Sequence, residues 1–368
     1  MSWLYRHVAR PLLFTQESEV AHDRTLAALA LASRSRFLRG LTEALCDVPP
    51  LPVAALGLRF PNPVGLAAGM DKQGLAVPIW QAMGFGFSEL GGVTWHAQPG
   101  NPKPRMFRVV AEEALVNRMG FNNGGAPVLA QRLRHWKNLG LWPIHPVGIN
   151  LGKSKITPLP AAPGDYLSSF SELWEEADFF VVNVSSPNTP NLRQLQDRDA
   201  LSEILFCLQE RNRLLAAEYR KPKPVLVKVA PDLSWEALDE IVEVALAHSL
   251  AGIVASNTTL ARPLNSDPVA TQLYREVGGL SGRPLRQRST ELVRHLYRRS
   301  EGKLQIVGVG GINSADDAWE KILAGASLVQ IYSGLVFHGP LLVREIVLGL
   351  HDRLSGAKWE DVVGAEAH

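Results

Sequence analysis

Cysteine is scarce in this chain of 368 residues, which contains only Cys46 and Cys207. Neither belongs to a Cys-x-x-Cys pair or to a cluster of cysteine and histidine, so we expect no iron–sulfur centre and no structural zinc or other metal site. Counting alone leaves one disulfide open, but nothing else in the sequence indicates secretion.

The chain also has no large excess of charge of one sign and no long apolar run. The formal net charge is +2, whereas a dedicated nucleic-acid binder needs a strong basic excess, so we expect no nucleic-acid partner. No apolar run reaches the roughly 18 residues of a membrane-spanning helix. Met1–Pro11 has aromatic and basic residues but no long apolar core or cleavage site, so it is not a signal peptide, and we expect the chain to remain inside the cell.

A Gly-x-Gly-x-x-Gly fingerprint is absent, but a different pattern repeats after about residue 60. Short apolar runs end in glycine or polar residues and are followed by longer amphipathic segments. Eight alternating units predict a parallel (β/α)8 TIM barrel, with a doubly wound open sheet as the second choice. The runs are Asn62–Met70, Phe87–Thr94, Pro146–Lys153, Phe179–Ser186, Pro224–Pro231, Gly252–Thr259, Gln305–Ile312 and Leu328–Leu335.

Helical periodicity fills several of the segments between these runs. It predicts helices over Leu201–Tyr219, Ser234–Ser249 and Ser314–Gly325. Ser234 and Ser314 stand where the N-caps of the last two helices belong.

Polar side chains gather where the predicted strands end, and Val181–Pro190 is the clearest case. Val181–Val184 predicts a buried strand that Pro187 stops. Five side chains able to hydrogen-bond gather around its end within seven residues, namely Asn183, Ser185, Ser186, Asn188 and Thr189. A plain polar turn is the alternative interpretation. Because active sites of such barrels lie at the carboxyl ends of the strands, similar polar endings of all eight runs favour a lined pocket.

The run Gln305–Ile312 ends in glycines before a capped helix, at the seventh strand position. Backbone N–H groups of such a turn and the helix N-terminus favour a phosphate. The alternative is a tight strand-to-helix turn that binds no ligand, because such a turn would show the same glycine-rich sequence.

Two lysines lie in or next to apolar runs, where burial of an unpaired charge would cost free energy. Lys228 lies inside the apolar run Val225–Ala230, so its ammonium requires an anion nearby or stabilises negative charge on a reduced cofactor. Lys72 could likewise stabilise negative charge on a reduced cofactor, or it could bind an anionic substrate. A structural salt bridge with the adjacent Asp71 is the alternative to these two roles.

Residues 1–50 differ in character from the rest. Two amphipathic segments, Trp3–Phe14 and Glu17–Ser33, carry aromatic and basic residues and are followed by Arg34, Arg36 and Arg39. They predict helices that lie in a membrane interface or, equally, a helical hairpin that caps the barrel. Pro49–Pro52 predicts a stiff connector.

With these features in place, the chain resembles the quinone-using class, class 2, of the dihydroorotate dehydrogenases over nearly its whole length. The order and number of the matching segments carry the resemblance. They are Gly65-Leu-Ala-Ala-Gly-Met-Asp-Lys72, Pro99-Gly-Asn-Pro-Lys-Pro-Arg105, Asn117-Arg-Met-Gly-Phe-Asn-Asn123, Gly148-Ile-Asn-Leu-Gly-Lys153, Asn183-Val-Ser-Ser-Pro-Asn-Thr189, Ser256-Asn-Thr-Thr259, Gly278-Gly-Leu-Ser-Gly-Arg-Pro284 and Gly308-Val-Gly-Gly311.

The resemblance implies oxidation of (S)-dihydroorotate to orotate in pyrimidine synthesis, in a barrel over residues 51–368 that binds one FMN per subunit. Ser186 would be the base that takes the C5 proton while the C6 hydride passes to the flavin. Thr189 and Phe121 would shape the relay that removes the serine proton, because an alcohol is a poor base by itself. Cysteine at position 186 would indicate the soluble class 1 enzymes.

The resemblance also implies two sets of contact positions. Those for dihydroorotate or orotate are Lys72, Asn117, Arg118, Met119, Gly120, Phe121, Asn183, Asn188, Asn257 and Thr258. Those for FMN are Ala68, Gly69, Met70, Asp71, Lys72, Gly92, Asn150, Asn183, Lys228, Ser256, Gly282, Gly311, Tyr332 and Ser333. Amides suit a planar ring with alternating donors and acceptors, because each amide offers both.

Two letters depart from the family pattern. Gly92 stands where relatives often have threonine, so we expect a slightly changed FMN affinity. Ser256 also replaces a common threonine but keeps the hydroxyl.

For residues 1–50 the resemblance implies a quinone tunnel in peripheral contact with the membrane, with His22, Arg105 and Tyr332 at the quinone site. We therefore expect a membrane quinone as final oxidant, no iron–sulfur partner subunit, and a location on the cytoplasmic side of a bacterial inner membrane. The alternatives are another FMN barrel oxidoreductase, such as a class 1 enzyme or a dihydrouridine synthase-like protein, and a non-catalytic membrane-peripheral barrel.

Overall fold

A computed structural model describes residues 2–219, 221–264 and 267–367. Its strands lie in three sheets, and they are listed here in chain order. They are β1 (Val53–Ala55), β2 (Leu58–Phe60), β3 (Val64–Leu66), β4 (Phe87–Val93), β5 (Met106–Val109), β6 (Ala114–Asn117), β7 (Val147–Leu151), β8 (Phe179–Asn183), β9 (Val225–Val229), β10 (Gly252–Ala255), β11 (Gly279–Gly282), β12 (Gln305–Val309) and β13 (Ala326–Ile331).

Eight of these strands close a barrel in the order β3-β4-β7-β8-β9-β10-β12-β13, with β13 returning to β3. Every neighbouring pair is parallel. All five residues of β8 are buried, because helices cover the outside and side chains fill the inside. The predicted (β/α)8 barrel is confirmed.

Helices cover the outside of the barrel, and further helices precede its first strand in the chain. They are α1 (Ser2–Leu4), α2 (Arg10–Phe14), α3 (Ser18–Arg34), α4 (Arg36–Cys46), α5 (Val77–Ala82), α6 (Ala126–Asn138), α7 (Ala162–Leu173), α8 (Arg198–Tyr219), α9 (Trp235–Ala247), α10 (Pro268–Leu273), α11 (Arg286–Arg299), α12 (Ala315–Leu323), α13 (Ser333–His338), α14 (Leu342–Leu354) and α15 (Trp359–Val362).

The predicted caps are present, and one predicted strand end is wrong. Ser234 accepts a hydrogen bond from the Ala237 N–H and Ser314 accepts one from the Asp317 N–H, at 3.2 Å each. The sequence predicts the eighth strand over Leu328–Gly334, but β13 ends at Ile331 and α13 begins at Ser333. Leu335 and Val336 of α13 pack against the hydrophobic core, so the sequence stays apolar although its conformation changes from strand to helix.

A small antiparallel sheet, β5-β6-β11, stands outside the barrel and was not predicted. Asn117 at the end of β6 pairs in register with Gly279 of β11. An isolated bridge between Thr259 and Leu280 ties this sheet to the chain that follows β10. The sheet therefore holds Asn117 beside the carboxyl ends of the barrel strands.

The amino-terminal helices pack on this same side of the molecule. The Tyr5 hydroxyl donates to the Val336 carbonyl at 2.7 Å and Arg10 donates to the Phe337 carbonyl at 3.1 Å, which satisfies carbonyls at the end of α13. A third helix, α4, follows the two predicted segments. None of the helices within the described residues has the length and hydropathy to cross a membrane.

Candidate active site

A pocket of about 140 Å³ opens at the carboxyl ends of the barrel strands. It brings together most of the residues that the sequence predicted for substrate and cofactor. Those that line it are Ala68, Gly69, Lys72, Gly92, Asn117, Met119, Gly120, Phe121, Asn183, Ser186, Asn188, Lys228, Ser256, Asn257, Thr258, Gly282, Gly311, Tyr332 and Ser333.

The end of β8 supplies a network of amides. Asn183 donates to Asn150 Oδ1 at 2.8 Å, and its own Oδ1 accepts from the Ser185 hydroxyl at 3.0 Å and from Asn257 at 3.3 Å. Asn257 also donates to Ser185 Oγ at 3.0 Å. Amides at the carboxyl ends of three different barrel strands are thereby fixed in orientation before any ligand binds.

Ser186 lies buried beside this network, three residues beyond β8. Its Oγ accepts a hydrogen bond from the Asn188 N–H at 3.3 Å. The Asn188 side chain donates to Asn117 Oδ1 at 3.2 Å, so the loop after β8 is joined to the small antiparallel sheet. Thr189 is buried on the same loop.

At the floor of the pocket, four barrel strands each contribute one polar side chain to a buried layer. Glu89 of β4 accepts from Asn150 of β7 at 2.6 Å and from Gln330 of β13 at 2.5 Å. Lys228 of β9 lies 4.0 Å from Glu89 Oε1. Glu89 is the anion that the buried Lys228 requires.

Lys72 is not paired with its neighbour Asp71. The two Asp71 oxygens accept from the Leu75 and Ala76 N–H groups at 2.8 Å and from the Trp80 indole at 3.2 Å. Lys72 instead donates to Asn122 Oδ1 at 2.9 Å. Removal from water, together with the positive charge of Arg105, lowers the pKa of Lys72 to about 8.

The turn after β12 packs closely against α11. Gly311 has a φ of +69°, and a Cβ there would lie 2.6 Å from the Cα of Arg286. Only glycine fits such a position without strain. Gly310 and Gly311 both line the pocket, immediately before the capped helix α12.

Two buried polar atoms of the pocket lining are left without a partner among the described residues. They are Thr258 Oγ1 and Gln330 Oε1. Buried polar groups are normally hydrogen-bonded, so these atoms indicate that a polar ligand completes the site.

Close packing against Phe121 accounts for the glycine at position 92, where relatives often have threonine. A Cβ at this position would lie 2.7 Å from the Phe121 ring. The phenyl ring therefore occupies the space that a threonine side chain would need at this position.

Four predicted residues do not line the pocket. Met70 lines a second cavity instead, Asp71 is turned toward α5, and Asn150 lies one layer below. The Arg118 side chain is directed away, since it pairs with Glu276 at 2.6 Å and its guanidinium lies 4.8 Å from the Phe107 ring centroid.

The second cavity, of about 530 Å³, lies between the amino-terminal helices and the barrel. Its lining is mostly apolar, with Leu13, Phe14, Leu29 and Met83 among its residues. His22 lines it, and Tyr332 lines both cavities. Tyr332 is therefore the shared wall.

The polar groups predicted for this cavity are only partly gathered there. Arg105 is buried but does not line the cavity, because it donates to Glu19 at 2.7 Å and to the Pro99 carbonyl at 2.7 Å. Removal from water and the positive charge of Lys72 lower the pKa of His22 to about 4. Burial raises the pKa of Tyr332 to about 12.

Sequence reasoning missed Glu89, Gln330 and Asn122. Glu89 had a usable signal, because it is a lone acid in the apolar run Phe87–Thr94, as Lys228 is a lone base in its own run. Asn122 had none, since its contact with Lys72 depends on how two loops meet.

A sequence profile described as dihydroorotate dehydrogenase matches residues 50–354. A protein named dihydroorotate dehydrogenase (quinone) from Gloeobacter violaceus is 53% identical over 361 residues, covering 97% of this chain and 96% of that protein. A protein of the same name from Chloroflexus aurantiacus is 52% identical over 348 residues, 93% of this chain and 94% of that one. The chain belongs to the dihydroorotate dehydrogenase (quinone) family.

Solved structures agree with this membership. Dihydroorotate dehydrogenase from Eimeria tenella in complex with ferulenol superposes with a TM-score of 0.84 at 36% identity, covering 95% of each chain. The ligand-free type from the same organism gives a TM-score of 0.80 at 36% identity, covering 92% of this chain and 99% of that one. The predicted family and fold are confirmed.

Proposed function

We propose that this protein oxidises (S)-dihydroorotate to orotate and passes the electrons to a membrane quinone, in pyrimidine biosynthesis. The observation that carries the proposal is the pocket in which Ser186 meets the amides of Asn117, Asn183, Asn188 and Asn257. Relatives named for this activity share about half of their residues with the chain.

One FMN per chain is the cofactor that fits this pocket. The Gly310–Gly311 turn before α12 suits a phosphate, and the buried ammonium of Lys228 suits the N1/O2 edge of an isoalloxazine ring. Gln330 Oε1 is a free acceptor in the same wall. When bound, FMN supplies a hydride acceptor, and the protein supplies binding, orientation and electrostatics.

The amides orient the substrate. Each carries a donor and an acceptor, and their mutual hydrogen bonds fix which atom of each points into the pocket. Thr258 Oγ1 offers a further unpaired group, and Lys72 provides positive charge for the substrate carboxylate. Together these residues hold C5 of dihydroorotate toward Ser186.

Ser186 takes the C5 proton. The Asn188 N–H that donates to its Oγ stabilises negative charge on that oxygen as the hydroxyl proton leaves. Thr189 and Phe121 shape the path of the departing proton and limit its contact with bulk water, since both are buried beside the site.

Residues 1–50 form the quinone-binding part, and residues 51–368 form the catalytic barrel. The apolar cavity between them suits an isoprenoid quinone, with His22 and Tyr332 in its wall and Arg105 behind it. Leu31 is 68% exposed and Phe37 is 76% exposed, beside Arg34, Arg36 and Arg39. Such a surface favours peripheral contact with the cytoplasmic side of a bacterial cell membrane.

Purified protein tests the proposal in an anaerobic cuvette. Dihydroorotate should bleach the absorption of the bound flavin, and ubiquinone should then restore it. Restoration by fumarate or NAD, with none by ubiquinone, would contradict the assignment of the acceptor. Colourless protein without bound flavin would contradict the assignment of the cofactor.

A further inference from the structure

Lys321 is a fully buried ammonium that the proposed reaction does not use. It lies on α12 with 0% of its surface exposed. Its Nζ donates to Ser289 Oγ at 2.6 Å, to Thr290 Oγ1 at 2.9 Å and to the Arg286 carbonyl at 3.2 Å. All three acceptors are neutral oxygens of α11.

This ammonium lies directly behind the glycine turn of the pocket. Ser289 Oγ, which accepts from Lys321, is also 2.9 Å from the Gly310 carbonyl oxygen. The aliphatic stem of Lys321 packs on β12, since a Cβ at Gly308 would lie 3.3 Å from its Cδ. Lys321 therefore connects α11, α12 and the strand end from which the turn departs.

The charges around Lys321 do not neutralise it directly. Asp317 and Glu320 on its own helix each pair with Arg286 of α11, at 2.5 Å. The strand β12 presents Gly308, which has no charge. A buried ammonium held only by neutral oxygens is costly, and burial lowers the pKa of Lys321 to about 7 although Glu320 and Asp317 oppose the shift.

We propose that Lys321 is a positioning residue for the phosphate group of the cofactor, holding the Gly310–Gly311 turn and supplying positive charge behind it. The proposal rests on the assignment of FMN to this pocket and deepens it. A phosphate dianion on the turn adds the counter-charge that Asp317 and Glu320, which pair with Arg286, do not fully provide. In return, the ammonium favours the phosphorylated cofactor over riboflavin, which has the same ring but no phosphate.

A dependence of binding on pH follows. The bound phosphate stabilises the charged form of Lys321, so binding raises its pKa and draws a proton from solution when pH exceeds about 7. Affinity for FMN should then fall as pH rises from 7 to 9, at most about tenfold per pH unit. FMN itself is a dianion throughout this range, because the second pKa of a phosphate ester is about 6.

Titration calorimetry on the flavin-depleted full chain tests the inference without any variant. FMN is titrated at pH 8 in two buffers that differ in ionisation enthalpy, and riboflavin serves as the phosphate-free control. Proton uptake with FMN and none with riboflavin is the expected result. FMN binding without proton uptake would overturn the inference alone, whereas failure of FMN to bind would overturn the cofactor assignment as well.

Lys321→Met provides the second measurement, with the exposed Lys303→Met as the matched control. The first variant should bind FMN about tenfold more weakly at pH 7, lose the pH dependence between 7 and 9, and bind riboflavin as the unaltered protein does. If Lys321 were purely structural, its replacement would weaken the binding of both flavins equally. The ratio of the FMN affinity to the riboflavin affinity would then keep its pH profile. That outcome contradicts the inference, and if the variant does not fold, the calorimetry on the unaltered chain decides.

Discussion

The Nζ of Lys228 lies 4.0 Å from Oε1 of Glu89, across the interior of the barrel. The two residues come from β9 and β4, which are not neighbours in the sheet. Glu89 also binds Asn150 and Gln330. One buried carboxylate therefore organises the polar floor of the pocket and offsets the charge of the lysine proposed to face the cofactor.

Glu89→Gln should destabilise the protein strongly. The change keeps the shape of the side chain but leaves the Lys228 ammonium buried without an anion. Removing one partner of a buried pair costs about 3–5 kcal/mol. Urea unfolding of flavin-free protein at pH 7, followed by circular dichroism, measures the loss.

The exposed Glu301 is the control for this change, since it pairs with Lys303 at 2.6 Å on the surface. Glu301→Gln should leave the urea midpoint nearly unchanged, because exposed ion pairs contribute little. Equal midpoints for Glu89→Gln and Glu301→Gln would show that Glu89 is not the counter-charge of Lys228.

The buried His145 should make the fold sensitive to acid. Its ring nitrogens lie 2.9 Å from the Phe85 carbonyl oxygen and 3.0 Å from Ser88 Oγ. Burial lowers its pKa from 6.5 to about 4. Below pH 6.5 the unfolded chain binds a proton that the folded one refuses, so the free energy of unfolding falls as pH falls, by about 1.4 kcal/mol per unit down to pH 4.

His145→Gln should remove that part of the slope between pH 6 and 4.5. The variant is less stable overall because it loses buried contacts, so the slope and not the absolute stability is the measured quantity. Replacement of the exposed His351 by glutamine should leave the slope unaltered. A slope for His145→Gln equal to that of the unaltered protein would refute the assignment.

Ala21→Trp should block the second cavity, because Ala21 lines it and an indole would fill much of its volume. Turnover with quinone should fall at least about tenfold, which corresponds to roughly 1.4 kcal/mol. Reduction of the flavin by dihydroorotate should persist, since that step belongs to the other pocket. Steady-state rates with quinone and anaerobic flavin bleaching measure the two steps.

Ala28→Trp provides the matched comparison, because Ala28 is exposed on the same helix. It should behave as the unaltered protein in both assays. Parallel loss of both steps in Ala21→Trp would indicate a structural fault, and unchanged quinone turnover would mean that quinone binds elsewhere.

Much of the barrel was predictable because each strand is buried on both faces and ends in polar residues. The runs Phe179–Ser186 and Gln305–Ile312 have apolar centres that stand out clearly from the polar residues on either side. The observed strands lie inside these runs. The family motifs then predicted most of the pocket lining, which the structure brings together.

What escaped prediction depends on contacts that are distant in sequence. The strands β5, β6 and β11 are short, and two of them pair across about 160 residues, so no local pattern marks them as a sheet. Lys321 follows Glu320 in an amphipathic helix, a sequence context typical of an exposed lysine, yet it is fully buried. Arg118 lies in a family motif, but its guanidinium is satisfied by Glu276 outside the pocket.

Stopped-flow reduction of the Ser186→Ala variant tests the central claim most directly. Because the alanine cannot take the C5 proton, we expect the rate of flavin bleaching by dihydroorotate under anaerobic conditions to fall by about 10²–10⁴-fold. Flavin content and reduction by dithionite should stay as in the unaltered protein, which shows that the pocket is intact. Bleaching by dihydroorotate at a near-normal rate would contradict the assignment of Ser186 as the base.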